Sequence, residues 1–510
     1  MAILKFLFEA PQTDWMRFFL FLGGIVLFII IAEKTRTRLG WSAEVNRKLV
    51  HVLTGVLVFF TPFVFTSNKP LIWMAALFIA VDFIGVETGK LKGMHGTARK
   101  SFGTVFYPLT FLILAATCWN GHKSVMVLSM LILALSDAAA ALVGENLAEP
   151  HEYSLWKDRK SIEGSIAMFL TSFLIVWILF PRVDTLDGLS VSPFQAAWIG
   201  LLAAVFATVL EAVSEMGSDN LSAPLGAAWV MAFMVGHPAA DGLQLSAGVV
   251  LGLIVAVLSF RFRFLAPSGC AAAFVLAAVL YGAGGWSWTI PILVFFTTSS
   301  LLSKLGKSRK RRFESVFEKT DTRDVGQVLA NGGTAGALAI LSRYFPNPEW
   351  FVLYLGAVAA VNADTWATEI GLFSRRKPRS ILGLQPVAAG TSGAVTWLGT
   401  AGVVLGSLAI AASGRLAAPE GKGILVSGAV IASVCIGGVF AALIDSVLGA
   451  AVQAQYRCPA CGKTTEKRVH CGGRATRLAS GWRWMNNDWV NWICSLVGAV
   501  AAWGLLRLIG

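Results

Sequence analysis

Two acidic residues in the second half of the chain, Asp364 and Glu369, lie inside an apolar segment that reads NADTWATEIG over 362–371. An uncompensated carboxylate at the centre of a bilayer costs about 2.5–3.5 kcal/mol on insertion scales. Such acids therefore serve a function or lie near the membrane surface. We predict that Asp364 and Glu369 are catalytic residues that bind a divalent cation.

A third acidic residue, Asp137, lies in a similar apolar segment of the first half, LSDAAAALVGENL over 135–147. Mg²⁺ is commonly held by one or two carboxylates with phosphate oxygens and water, and we predict this catalytic role for Asp137. A polar stretch follows, in which basic side chains and the N–H groups of a helix start suit phosphate. Its candidate residues are Arg159, Lys160, Ser161, Glu163 and Gly164. Ser161 and Glu163 are also typical of helix starts that have no catalytic role.

Three polar residues near the start of another apolar segment, Arg47, Lys48 and His51, fall on one face of a predicted helix. Two cations and an imidazole on a helix that enters the membrane suit a phosphate group. The alternative is an interfacial face whose long side chains reach back to water. We favour the phosphate site, because His51 lies deeper than such a face requires. Whether His51 or Asp137 is the general base is left open.

Four polar stretches of the first half recur in the second half, in the same order and at similar spacing. RKLVHVLTG (47–55) resembles RDVGQVLANGG (323–333), and the Asp137 segment resembles the Asp364 segment. RKSIEGS (159–165) has a counterpart in AAGTSGAV (388–395), and LEAVSEMGSDN (210–220) in LIDSVLGA (443–450) with NNDWVN (486–491). These similarities predict two related domains, 1–240 and 250–510. Chance similarity of short motifs is the alternative.

By this correspondence the second half carries its own phosphate-binding residues. They are Arg323, Gln327, Asn331, Gly390, Thr391, Ser392 and Gly393. Further Mg²⁺ ligands are predicted in both halves: Asp219 and Asn220 in the first, and Asp445 and Asp488 in the second. The sequence has no Walker A motif, so a nucleotide enzyme with this sequence is not of the P-loop type.

A cysteine-rich stretch within 456–483, CPACGKTTEKRVHCGG over 458–473, offers four ligands of the kind that bind zinc. They are Cys458, Cys461, His470 and Cys471. The CPxCG turn resembles a zinc-ribbon knuckle, whereas an adjacent His and Cys coordinate one ion awkwardly. A structural Zn²⁺ and a loop of free thiols both remain open.

The composition identifies the class of protein that carries these residues. Of the 510 residues, 56% are hydrophobic and 14% are charged, compared with about 25% charged residues in soluble proteins. We predict an all-α polytopic integral membrane protein with roughly 16 transmembrane helices. Basic residues cluster in alternate loops, which places those loops in the cytoplasm and both termini outside. The net charge of +13 reflects this topology, attraction for an anionic substrate, or both.

The first half resembles the dolichol kinase and phytol kinase family of membrane lipid kinases. The resemblance rests on Arg47-Lys48-x-x-His51, the Asp137 segment through Gly144, and Lys160-Ser161-x-Glu163-Gly164. The GTARKSFGT loop and the short first half are closer to phytol kinases. This resemblance implies CTP-dependent phosphorylation of a long isoprenoid alcohol.

The second half resembles the phytyl-phosphate kinase family. The stretches that carry the resemblance are SSLLSK, RDVGQVLANGG, NADTWATEIG, PVAAGTSGAV, IDSVLGA and NNDWVN. The family implies addition of a second phosphate to an isoprenyl monophosphate. Asp364 and Glu369 would then hold Mg²⁺ on a nucleoside triphosphate.

Taken together, the two resemblances imply a bifunctional kinase that converts phytol, geranylgeraniol or farnesol to the monophosphate and then the diphosphate. The expected cofactors are Mg²⁺ and CTP as phosphoryl donor. We expect active sites that face the cytoplasm in the cell inner membrane, with lipid and no nucleic acid as partner. The alternatives are a cytidylyltransferase that forms a CDP-lipid, a polyprenol or dolichol kinase with one active half, and a transporter.

Overall fold

The computed structural model describes residues 9–88, 101–305, 322–388, 390–418 and 427–509. Among the alternate basic loops, KLKGMHGTARK (90–100) and residues 306–312 of KLGKSRKRR (304–312) lie outside these ranges. Residues 419–423 of APEGKG (418–423), one of the intervening loops with less positive charge, lie outside them as well. The described residues form long helices joined by short connections, with nine strands of two to four residues.

The chain divides into two compact units, Met1–Ala239 and Ala240–Gly510. The first unit begins with five helices, α1 to α5, and continues through α6 into a π-helical turn, Ile132–Ser136, that leads directly into α7. A two-stranded antiparallel arm, β1 and β2, connects α7 to α8. The elements are α1 (Gln12–Leu39), α2 (Ala43–Phe59), α3 (Thr61–Val64), α4 (Lys69–Thr88), α5 (Gly103–Cys118), α6 (Lys123–Leu131), α7 (Asp137–Asn146), β1 (Glu152–Tyr153), β2 (Lys160–Ser161), α8 (Ile162–Val183), α9 (Pro193–Ala212) and α10 (Asp219–Gly236).

The second unit is built around helix α14, which packs against α12, α13, α15, α16 and α17. A second two-stranded arm, β3 and β4, precedes α15, and a small three-stranded sheet in the order β6-β5-β9 precedes α17. Its elements are α11 (Ala239–Arg261), α12 (Pro267–Leu305), α13 (Val325–Tyr344), α14 (Glu349–Gly371), β3 (Arg379–Ser380), β4 (Ala394–Val395), α15 (Trp397–Ala417), α16 (Gly428–Ala451), β5 (Gln455–Arg457), β6 (Thr464–Thr465), β7 (Val469–His470), β8 (Arg474–Ala475), β9 (Arg477–Ser480) and α17 (Asn487–Ile509).

Eleven helical segments among the described residues are long and apolar enough to cross a membrane. The helical composition and these spans establish an all-α integral membrane protein. The expected number of 16 transmembrane helices is not confirmed.

The first unit holds α7 and α8 in close contact at small residues. Ser161 caps α8 by accepting a hydrogen bond from the Gly164 N–H at 3.1 Å. A Cβ on Gly164 would lie 2.9 Å from the Ala140 carbonyl oxygen, and one on Gly144 would lie 2.6 Å from Ser161 Oγ. These separations are shorter than van der Waals contact, so the two helices approach this closely only through glycine. Asp137 therefore lies one to two turns from a rigid crossing point.

The second unit repeats this crossing residue for residue. Thr396 caps α15 by accepting from the Gly399 N–H at 3.0 Å. A Cβ on Gly399 would lie 3.0 Å from the Ala367 carbonyl oxygen, and one on Gly371 would lie 3.2 Å from Thr396 Oγ1. Ala367 and Gly371 follow Asp364 at the same intervals as Ala140 and Gly144 follow Asp137. The predicted correspondence between the two acidic segments thus extends to a shared packing arrangement.

Replacing Gly164 by valine is expected to lower stability by about 1–3 kcal/mol, because the added atoms overlap the Ala140 backbone. The midpoint of thermal unfolding of detergent-purified protein measures the effect. Gly24→Val is the matched control, since a Cβ on Gly24, also in an apolar helix, meets no atom within 4 Å. An equal midpoint for the two variants would contradict the close helix crossing.

Candidate active site

A long cavity of about 720 Å³ lies inside the first unit and joins a polar region to an apolar one. Its wall follows α2 from Arg47 to Val58, a distance of roughly 16 Å at 1.5 Å per residue. The polar lining includes Arg47, Lys48, His51, Asp82, Tyr107, Asp137, Glu145, Asp158, Arg159, Lys160, Ser161, Glu211, Asp219 and Asn220. The apolar lining includes Phe21, Ile25, Leu57, Val58, Leu71, Met74, Phe78 and Phe111. Such a cavity suits a molecule with an ionic head and a hydrocarbon tail.

The ring of His51 is fixed by two neighbours within this cavity. Its Nε2 lies 2.9 Å from the carbonyl oxygen of Leu133, which belongs to the π-helical turn. Because a carbonyl only accepts, Nε2 carries the proton and Nδ1 of the neutral ring is an acceptor. The Tyr107 ring packs edge-on against His51 at 4.6 Å between centroids. The imidazole is thus oriented to accept a proton at Nδ1.

The ammonium group of Lys160 is held between two carboxylates. Its Nζ lies 2.5 Å from Glu211 Oε1 and 3.2 Å from Asp219 Oδ2. Burial opposes the charge on Lys160, but Asp219 and Glu211 outweigh it and raise the pKa of this ammonium above its ordinary value. Lys160 is therefore a permanent cation at the polar end of the cavity.

Asp137 lines the same end of the cavity and lies in the electrostatic field of Asp219, Lys160, Arg47 and Lys48. The cavity therefore collects both acidic and basic groups from α2, α7, β2 and α10. Glu211 Oε2 and Asn220 Oδ1 are buried and receive no hydrogen bond from the described residues. Oxygens of this kind are available for a cation.

The remaining predicted residues of the first unit have structural contacts. Lys48 Nζ binds Glu145 Oε2 at 2.5 Å, and the exposed Arg159 lies 3.4 Å from Glu152. Glu163 does not line the cavity: it accepts from the His151 N–H and lies 2.6 Å from His151 Nδ1. Ser161 and Gly164 form the helix crossing described above. The helix-start interpretation of Ser161 and Glu163 therefore fits the structure.

In the second unit the structure pairs Asp364 with Asp445 of α16, and their carboxyl groups lie within hydrogen-bonding range of each other. Asp445 Oδ2 is buried and receives no hydrogen bond from the described residues. Two carboxyl groups this near each other offer oxygen ligands to a single cation. This pair is the best candidate cation site of the second unit.

Glu369 faces a different partner. It is buried at 4% exposure, and the charge of Arg323 acts on it. Residues five apart on an α-helix are separated by about 140° around the axis, so Asp364 and Glu369 project from different sides of α14. Of the predicted ligands, Asp364 and Asp445 therefore lie together, and a metal-binding role of Glu369 stays a prediction.

Gln327 and Asn331 line a small cavity of about 60 Å³ together with Arg323. Gln327 also closes the first turn of α13: its N–H donates to Asp324 Oδ1 at 3.0 Å, and its Oε1 accepts from the Asp324 N–H at 3.3 Å. The Gln327 side chain, which the repeat aligns with His51, is therefore part of a capping box. Gln327 is thus bound in a structural role.

The loop 390–393 packs against the end of α16, where a Cβ on Gly393 would lie closer to the Ser446 carbonyl oxygen than van der Waals contact allows. Gly390 and Gly393 have φ angles of 88° and 72°, in the left-handed region that favours glycine. Thr391 Oγ1 donates to the Ala388 carbonyl at 2.8 Å, and Ser392 Oγ donates to Glu466 Oε1 at 2.9 Å. Asp488 lies in the first turn of α17. The loop 390–393 is therefore next to the helix that carries Asp445.

The four predicted zinc ligands lie together. One ligand atom from each of Cys458, Cys461, His470 and Cys471 lies within 4.8 Å of the others. No other group of three or more such ligands within the described ranges meets this criterion. The carboxylates of the described residues therefore do not form a cluster of this kind by themselves.

Three relevant acids were absent from the predictions. Glu211 binds Lys160, Asp82 lines the cavity at 7% exposure, and Glu466 binds Ser392. Asp82 had a sequence signal, because it interrupts the apolar segment LFIAVDFIGV just as Asp137 and Asp364 interrupt theirs. Glu211 lies in the recurring polar stretch 210–220, whereas Glu466 lies in the polar loop after Cys461 and had no such signal.

Comparisons with known proteins find relatives that cover about half of this chain. Residues 250–499 match the family model for integral membrane protein DUF92. Protein PGR of Arabidopsis thaliana is 30% identical over 268 residues, which cover 49% of this chain and 91% of that protein. A phytol kinase of Synechocystis is 30% identical over 216 residues, which cover 41% of this chain and 86% of that protein. A probable phytol kinase of Glycine max is 27% identical over 219 residues, 42% and 72% of the respective chains. No solved structure matches.

Proposed function

We propose that this chain, which belongs through residues 250–499 to the integral membrane protein family DUF92, is a lipid kinase of isoprenoid alcohols. The observation that carries the proposal is the cavity of the first unit, whose apolar wall leads to His51, Asp137 and Lys160. Its relatives include proteins named phytol kinase. The isoprenoid tail would occupy the apolar part, with the hydroxyl group at the polar end.

In the first unit, His51 would accept the proton of the alcohol at Nδ1 while Leu133 holds the ring through Nε2. Lys160, Arg47 and Lys48 would neutralise charge on the transferred phosphoryl group, which is the main requirement of phosphoryl transfer. Asp219 and Glu211 would orient Lys160 through the two ion pairs already present. The products would be the isoprenyl monophosphate and a nucleoside diphosphate.

The carboxylates of both units fit Mg²⁺, which prefers a few carboxylate oxygens supplemented by phosphate and water. Asp137 and Asp219 would hold it in the first unit, together with Glu211 Oε2, which accepts no hydrogen bond from the part of the chain that the structure describes. Asp364 and Asp445 would hold it in the second, where Asp445 Oδ2 likewise accepts none from the described residues. Bound Mg²⁺ would supply charge neutralisation of the triphosphate at each site.

We further propose that the second unit phosphorylates the monophosphate to the diphosphate, with CTP as the donor. Both sites would open to the cytoplasmic side of the cell inner membrane. The repeated helix crossing supports a related reaction, because it places Asp364 as Asp137 is placed. A phosphate acceptor is already nucleophilic and needs no base. The absence of a histidine at Gln327 is compatible with that difference.

The direct test incubates purified protein in lipid nanodiscs with phytol, geranylgeraniol or farnesol, Mg²⁺ and CTP, and identifies the lipids by mass. Monophosphate and diphosphate are the expected products, with release of CDP. Monophosphate alone would restrict the proposal to the first unit. A CDP-lipid with release of pyrophosphate would identify a cytidylyltransferase, and no product with CTP, ATP, GTP or UTP would overturn the kinase proposal.

Replacing Asp82 by asparagine is expected to lower the rate of alcohol phosphorylation by about 10- to 100-fold. Asp82 lies on the cavity-lining face of α4 with Met74 and Phe78, where its carboxylate can accept a hydrogen bond from the substrate hydroxyl. The rate with monophosphate as substrate should not change. Phe83→Leu is the control, because the neighbouring Phe83 is 51% exposed on another face of α4. Equal rates for both variants would exclude Asp82 from the site.

A further inference from the structure

The cysteine-rich stretch forms a small ribbon whose two turns bring four ligands together. Strand β5 leads into the turn of Cys458 and Cys461, where the Gly462 N–H donates to the Cys458 carbonyl at 2.9 Å. The second turn joins β7 to β8 and carries His470 and Cys471. Both turns thus present their ligands to one point.

The separation of His470 from Cys461 matches a tetrahedral zinc site, and that of His470 from Cys471 is somewhat shorter. Zn–S and Zn–N bonds of about 2.3 and 2.0–2.1 Å place a sulfur and a nitrogen ligand roughly 3.6 Å apart. His470 Nδ1 lies 3.6 Å from Cys461 Sγ and 3.1 Å from Cys471 Sγ. The adjacent positions of His470 and Cys471, which the sequence suggested would be awkward, are accommodated by a local change of backbone direction.

The backbone at this change of direction also supports a zinc site, independently of the ligand separations. Cys471 has a φ of 43°, in the left-handed region that non-glycine residues rarely adopt. Gly472 and Gly473 follow with φ angles of 73° and 89°. An unusual backbone conformation of this kind persists when surrounding interactions fix it. A metal ion shared by both turns would provide that restraint.

The ribbon also contacts the loop 390–393 and the segment that follows α16. Glu466, between β6 and β7, accepts hydrogen bonds from Ser392 Oγ and Gln453 Nε2, each at 2.9 Å. Ser392 belongs to the loop 390–393, and Gln453 follows the helix that carries Asp445. One carboxylate therefore connects the ribbon to the loop and to the end of α16.

We propose that Cys458, Cys461, His470 and Cys471 bind one structural Zn²⁺, and that the metal-bound ribbon holds the loop 390–393 in place through Glu466. The role of the ribbon in holding the loop rests on the proposed function, because the loop 390–393 is proposed to bind phosphate. The zinc site itself is independent of any catalytic activity.

Metal analysis of the intact chain, purified without a histidine tag or chelator, tests the site. One Zn²⁺ per chain is expected, with close to none in Cys461→Ser and an unchanged content in Cys435→Ser, where the cysteine lies in α16 away from the cluster. Because Cys461→Ser also removes a side chain of the ribbon, the wild-type protein is titrated in parallel with a mercurial thiol reagent while released zinc is measured with a coloured chelator. Zinc-free wild-type protein, or full zinc in Cys461→Ser, would overturn the proposal.

Hydrogen exchange detected by mass spectrometry tests the connection without reference to activity. Removal of zinc from the wild-type chain is expected to accelerate amide exchange over 386–395 and not in α15. Glu466→Gln should retain zinc and show faster exchange over the same residues. Unchanged exchange in both samples would overturn the role of the ribbon. The kinase assay is a separate test. Glu466→Gln should slow only phosphorylation of the monophosphate. Inactive wild-type protein would overturn the proposed function and leave the zinc result valid.

Discussion

Replacing Asp364 by asparagine is expected to stop the second phosphorylation, so that isoprenyl monophosphate accumulates from the alcohol and CTP. The loss should be about 10²–10³-fold or more, because a neutral amide removes one of the two charges that would bind the cation. Asp445→Asn should have the same effect, since the two carboxyl groups lie within hydrogen-bonding range. Lipid mass analysis over time measures both steps in one reaction.

Glu349→Gln is the matched control for these variants. Glu349 lies at the opposite end of the same helix, where it binds Arg507 at 2.5 Å and accepts from Trp503 Nε1 at 2.8 Å. It should leave both phosphorylation steps unchanged. Full diphosphate formation by Asp364→Asn would contradict the cation site. A simultaneous loss of the alcohol step would contradict the assignment of separate reactions to the two units.

Replacing His51 by glutamine is expected to lower phosphorylation of the alcohol by about 10²–10⁴-fold, the usual contribution of a general base. Glutamine retains a donor for the Leu133 carbonyl but has no group that accepts a proton at neutral pH. Added isoprenyl monophosphate should still be converted to the diphosphate at the wild-type rate. Initial rates with each substrate, measured separately, distinguish the two steps.

His237→Gln serves as the control, because His237 also bonds through a ring nitrogen to a backbone carbonyl, that of Phe233, at 3.0 Å. His237 follows the last residue of α10 and does not line the cavity. If the His51→Gln variant phosphorylates the alcohol at the wild-type rate, His51 is not the general base and Asp137 becomes the candidate. That alternative is then tested with Asp137→Asn under the same conditions.

The sequence was sufficient to predict the membrane class and many of the polar positions. Apolar segments long enough to span a bilayer carry their own signal, because backbone groups in lipid must be satisfied within helices. The spacing of Arg47, Lys48 and His51 on one helix face follows from helix geometry alone, and all three line one cavity. The repeated acidic segments were visible because Asp137 and Asp364 interrupt otherwise apolar runs.

Partners from distant elements were harder to predict. Asp364 and Glu369 are neighbours in sequence, yet their five-residue spacing turns them apart, while Asp445 reaches Asp364 only because α16 packs on α14. Gln327 aligns with His51 in the repeat, but it forms a capping box with Asp324, three residues earlier. Such competition between a local hydrogen bond and a proposed catalytic contact is decided by backbone geometry that short motifs do not contain.

The π-helical turn at Ile132–Ser136 has a consequence for how α6 and α7 can be used. A π turn accommodates about one extra residue, and each residue of an α-helix advances about 100° around the axis. The turn is therefore a phase shift between the two helices. It lets the Leu133 carbonyl within the turn face His51, while Ala140 and Gly144 beyond the turn face α8. Deleting one residue here would restore a regular helix and bring these two sets of contacts out of register.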